Sequence, residues 1–125
     1  MNIIEIYTIM ENMNLKNSND IEKVLDNNKH YPSICIPKLD SSITKNDIFD
    51  TLEKYHLGRI IKIDLIKMGG YQKGFVHLLW NDIDRSKYIR RLILTNKNFK
   101  IIYHDVGWFW KCSASISKKN LPKIY

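Results

Sequence analysis

Between Lys73 and Trp80 the chain reads Lys-Gly-Phe-Val-His-Leu-Leu-Trp, which spaces the rings of Phe75 and His77 two residues apart. Side chains two apart on a strand share a face. Phe75 and His77 would then stand together, with Val76 and Leu78 on the opposite side. Flat rings on the open face of a sheet offer stacking to planar ligands, unpaired bases above all, at ~1–3 kcal/mol per base. Lys62, Lys73 and Lys111 are the cations expected beside those rings, where they would neutralise phosphates. Phe109 joins the same face if Trp108, Trp110, Cys112 and Ala114 point inward, because Lys111 and Ser113 then point out. Lys118 and Lys119 follow that strand and could swing across the face. The competing reading buries the rings under the chain's own helices or ends, and makes the tryptophans a core plug.

Other chemistries find little support. His30, His56, His77 and His104 are scattered without the paired spacing of metal ligands. Gly69-Gly70 suits a hairpin turn and lacks a phosphate-loop pattern. Asp64 and His77 would approach on adjacent strands, but the sequence adds no nucleophile or second carboxylate to them. Cys35 beside His77 reads as ordinary packing. The expectation is a protein that is not an enzyme, with no cofactor and no metal.

The chain has 125 residues, 44% hydrophobic and 11% aromatic, enough for one core. Its net charge is +7, unevenly spread: residues 1–30 hold −2 and residues 31–125 hold +9. A basic body favours polyanions, nucleic acid first. Excess lysine that only keeps the protein soluble is the plainer alternative. Cys35 and Cys112 make neither a disulfide framework nor a metal site, which suits a reducing compartment. No apolar run approaches membrane-span length, and Met1–Leu15 lacks the features of a signal peptide. The expected location is intracellular, away from membranes.

These residues need elements to hold them. Residues 1–30 read as an N-terminal extension with a short helix from about Asp20 to Asp26. Ser33–Leu39 is a strand, with Pro37 marking an end or irregularity. Thr44 and Asp47 form a capping box for a helix that turns Ile48, Leu52 and Tyr55 inward and stops near Gly58. Arg59–Lys67 is the second strand, with Ile61, Ile63 and Leu65 on one face, and Lys73–Trp80 returns beside it. A second helix, capped by Asn81 or Asp82, turns Ile89, Leu92 and Ile93 inward and Arg85, Lys87, Arg90 and Arg91 outward. Phe99–Tyr103 and Trp108–Ser115 are strand-like, and residues 117–125 form a basic tail.

Strand, helix, strand, strand, helix, strand is the order of the ferredoxin-like fold. Within it, Ile34–Leu39 and Lys73–Trp80 resemble the short and long motif strands of the RNA recognition motif (RRM), and Thr44–Tyr55 followed by Gly58-Arg59-Ile60 resembles its first helix. Trp108-Phe109-Trp110-Lys111, followed by Ser113 and Ser115, is similar to a narrower group of small RRM-like proteins of large DNA viruses. The chain departs from the family at Cys35, where an aromatic is usual, at Lys38, where asparagine stands, and at His77, which replaces a second aromatic.

The resemblance covers about residues 32–115 and implies an α+β, ferredoxin-like βαββαβ sandwich spanning 31–116. Its sheet would be four-stranded and antiparallel, with two helices on one face. The implied partner is single-stranded RNA, or single-stranded DNA, bound on Phe75, His77 and Phe109. The alternative is a non-catalytic protein-interaction module that has lost RNA binding and forms a homodimer through residues 1–30.

Overall fold

The computed structural model describes residues 18–95, 97–103 and 107–115. Its elements are α1 (Ser18–Asp26), β1 (Ser33–Asp40), α2 (Lys45–Glu53), β2 (Gly58–Lys67), β3 (Tyr71–Trp80), α3 (Asp84–Leu94), β4 (Phe99–Ile102) and β5 (Phe109–Ser115). Among the described residues they form an α+β unit with three helices and a five-stranded antiparallel sheet ordered β2-β3-β1-β5-β4. Lys118, Lys119 and the rest of the tail lie outside the described residues, as do residues 1–17.

The expectation of four strands is one short. Phe99–Ile102 alternates, burying Phe99 and Ile101 while Lys100 and Ile102 face out. A segment with one apolar face must cover it, and pairing along the edge of β5 does so. Tyr103 N–H donates to Trp108 O at 2.9 Å to close that hairpin.

One face of the sheet carries the core. Ile34, Ile36, Val76, Leu78, Trp110 and Cys112 pack there against Ile48 and Leu52 of α2 and Ile89 and Ile93 of α3. The capping box of α2 forms as its sequence predicts: Asp47 N–H donates to Thr44 Oγ1 at 3.1 Å and Thr44 N–H to Asp47 Oδ2 at 2.8 Å. The far end differs from expectation. His56 takes the left-handed backbone (φ 51), and Gly58 opens β2 instead of capping the helix. A Cβ at Gly58 would lie 2.0 Å from the Leu79 carbonyl oxygen, so the β2–β3 ladder itself requires glycine there.

Two further corrections concern faces. The β2–β3 register slips between Ile60 and Lys62, a bulge that throws Ile61 out to 53% exposure. Ile60 consequently packs against the core alongside Ile63 and Leu65. Arg90, expected on the outer face of its helix, is 6% exposed. Its Nε donates to Tyr31 O, and its Nη2 to Leu25 O and Asn28 O, at 2.6–2.9 Å. Those bonds tie the end of α1 and the following turn to α3, and Glu22 pairs with Arg91 beside them. Burial lowers the Arg90 guanidinium to about 10, partly offset by Asp26 and Asp82, and it stays charged near neutrality.

Candidate nucleic-acid interface

Strict alternation along β3 sends Gln72, Gly74, Val76, Leu78 and Trp80 into the core and leaves Lys73, Phe75 and His77 half-buried on the opposite face. Antiparallel register then decides what stands beside each ring. Phe75 is opposite Asp64 on β2 and Cys35 on β1, and Cys35 is opposite Ser113 on β5. Two residue pairs further along, His77 is opposite Lys62. In the other direction Lys73 faces Ile66, while Lys111 on β5 faces Lys100 on β4. Phe109 faces Ile102, and the Lys100 ammonium sits 4.5 Å from the Phe109 ring centroid, a cation–π contact.

Phe75, His77, Phe109, Lys62, Lys73 and Lys111 are thus all on one side of the sheet, opposite the helices α2 and α3. The cations expected from the sequence have different surroundings. Lys62 is 3.3 Å from Asp64 Oδ1 and so is partly neutralised. Lys73 is half-buried and Lys111 exposed. Lys100 completes the group and was not expected from the sequence, because only the added strand β4 places it next to β5. Where β1 bulges between Ile36 and Leu39, Pro37 and Lys38 are both exposed, and with Phe109 and Lys111 they line a cleft of about 260 Å³.

The polar atoms around His77 are closely specified. His77 Nε2 is 2.9 Å from Asp64 Oδ2, and Nδ1 is 2.7 Å from Ser33 Oγ. The hydrogen bond from His77, with help from Lys62, holds the Asp64 carboxyl below its ordinary range. An ionised carboxylate only accepts, so Nε2 carries the proton toward Asp64. In the neutral imidazole Nδ1 then accepts from the Ser33 hydroxyl. The sequence suggested the Asp64–His77 approach but gave no sign of Ser33, which depends on the β1–β3 register.

A serine, a histidine and an aspartate in line resemble a hydrolytic relay. Ser33 is only 2% exposed, however, and its hydroxyl is turned to the imidazole and away from solvent. The chain of bonds fixes the ring in place.

Cys35 is half-buried on the ring face and Cys112 fully buried in the core. Burial raises both thiols, and at Cys35 a hydrogen bond to Ser113 opposes part of that. Cys35 therefore presents a neutral, small side chain next to Phe75. Of the tryptophans, Trp110 is buried and stacks on Tyr103 at 4.7 Å between centroids. Trp108, expected inside, is 59% exposed because it lies in the turn before β5. Among the described residues no group of three potential metal ligands occurs, and no helix is long and apolar enough to cross a membrane.

Comparison of the chain with protein-family models, with curated proteins and with solved structures gives no match.

Proposed function

We propose that this chain is a single-stranded nucleic-acid-binding module, RNA being its preferred ligand, with an RRM-like domain on a ferredoxin-like plan. In this reading β1, α2, β2, β3, α3 and β5 supply the βαββαβ unit, with β4 as an added edge strand and α1 as part of an extension. Bases stack on Phe75, His77 and Phe109. Lys73, Lys111 and Lys100 neutralise phosphates along one side of the rings, and Lys62 does so more weakly.

The observation that carries the proposal is the sharing of one sheet face by three rings and four lysines, away from α2 and α3. Rings supply sequence-tolerant affinity and lysines its salt dependence. Anisotropy titrations of labelled poly-U, poly-A and single-stranded DNA at two salt concentrations test it. Phe75→Ala combined with His77→Ala should reduce RNA affinity by ~2–6 kcal/mol, two stacking contacts' worth. Unchanged affinity in that double variant would rule out the sheet face as the binding surface.

A second reading, a protein-interaction module, is favoured by the exposed apolar cluster at the β4–β5 end. Ile102, Tyr103, Trp108 and Phe109 are each between 36% and 59% exposed. Light scattering after size exclusion, on the full chain and on a chain starting at Tyr31, separates the two. A dimer that needs residues 1–30 and binds no RNA supports the second reading, and a monomer in both forms with tight RNA binding removes it.

A further inference from the structure

Resting on the stacking proposal, one residue of the ring face has a property that the others lack. Asp64 stands directly across the β2–β3 ladder from Phe75, with its side chain 37% exposed. Directly opposed residues bring their Cβ atoms within about 4.5–5.5 Å. A base lying on the Phe75 ring therefore extends its edge over the neighbouring strand, toward that carboxylate.

The carboxylate is held in place and half-used. Lys62 approaches Oδ1 at 3.3 Å and His77 approaches Oδ2 at 2.9 Å. An ionised carboxylate has about four lone-pair sites, so one on each oxygen is left for a ligand. Across the other ladder Phe75 meets Cys35, whose thiol burial keeps neutral and which accepts hydrogen bonds only weakly. The strong acceptor flanking Phe75 across either ladder is Asp64.

We infer that Asp64 reads the base stacked on Phe75 and selects bases with an exocyclic amino group, cytosine and adenine among them, against uracil. Cytosine N4–H₂ and adenine N6–H₂ donate to a carboxylate. Uracil has a carbonyl in place of the cytosine amino group, and its one ring N–H lies between two carbonyls that a carboxylate repels. The same negative charge turns phosphates away from β2, toward Lys73, Lys111 and Lys100.

Cytosine and uracil have the same ring size and differ at that one group, so the pair isolates the effect. The test is anisotropy titration of the full chain with labelled hexamers rC6 and rU6, in wild type, Asp64→Asn, Asp64→Ala and Phe75→Ala. Wild type should bind rC6 roughly tenfold tighter than rU6, the discrimination of one good base contact. Asp64→Asn, which can donate as well as accept, should bind the two within about twofold. Asp64→Ala should also lose the preference.

Equal wild-type affinities, or a preference that persists in both Asp64 variants, would overturn the inference. If Phe75→Ala then weakened both hexamers, stacking would stand without base reading by Asp64. Failure of wild type to bind either hexamer would remove both proposals together.

Discussion

The Ser33 hydroxyl lies 2.7 Å from His77 Nδ1, and with Asp64 on Nε2 it occupies both nitrogens of the imidazole. What His77 offers a ligand is then its ring face. Stacking and ring fixation can be separated by substitution. His77→Ala should weaken RNA binding by ~1–3 kcal/mol, whereas His77→Phe should bind at least as tightly as wild type. His77→Phe should nonetheless be less stable by about 1–3 kcal/mol, because it leaves the buried Ser33 hydroxyl without its partner. Urea melts beside RNA titrations check both; weak binding by His77→Phe would mean that the nitrogens themselves meet the ligand.

Lys73 and Lys111 should contribute to binding through phosphate. Each phosphate neutralised on a single strand adds about 0.7 to the slope of log affinity against log salt. Lys73→Gln and Lys111→Gln should each flatten that slope by about 0.7. Arg85→Gln, exposed on α3 behind the sheet, should leave it unchanged. Equal flattening by the Arg85 variant would move the phosphate path to the helical side.

Much of the ring face is legible in the sequence. Alternation is a two-residue rule, and in β3 both faces obey it without a break, so Phe75, His77 and Lys73 fall together. Ser33 and Lys100 were not legible, for they reach the site through register between strands distant in sequence. Ile60 and Ile61 depart from simple alternation because one bulged residue in β2 reverses it, and nothing in Arg59–Lys67 marks where it falls. Arg90 looked like one of four cations on an outer helix face. Its burial arises from bonds to carbonyls at the end of α1 and in the turn after it, which no helical periodicity reveals. In sequence Gly58 has the position of a helix stop, while the constraint on it comes from the Leu79 carbonyl on the next strand.

Arg90 makes a stability prediction independent of ligand. It satisfies the carbonyls of Leu25, Asn28 and Tyr31 from within the structure. Arg90→Met keeps much of the volume and removes three hydrogen bonds; Leu25 O and Asn28 O keep the N–H groups of Asn28 and Tyr31 as donors, so the substitution should cost about 2–3 kcal/mol. Arg90→Lys should recover less than half of that, since one ammonium cannot reproduce the planar fork. Urea denaturation followed by circular dichroism gives the values. A Met variant within about 1 kcal/mol of wild type would show the carbonyls finding water instead.

The acid limb of stability should contain a contribution from Asp47. Its bonds with Thr44, backbone first and hydroxyl second, hold the carboxyl below its ordinary value of 3.8. A carboxyl with a depressed folded-state value stabilises the fold above its unfolded value, and that contribution disappears as pH falls through the folded one. The negative charge also sits in the first turn of α2, where the helix dipole favours it. Asp47→Asn keeps an oxygen acceptor but removes the charge. Melting temperatures of wild type and Asp47→Asn should therefore differ by a constant amount at neutral and mildly acid pH. The gap should narrow once pH drops below 3.8 and close at lower pH. A gap that persisted unchanged to low pH would assign the effect of the substitution to the shape of the cap and not to its charge.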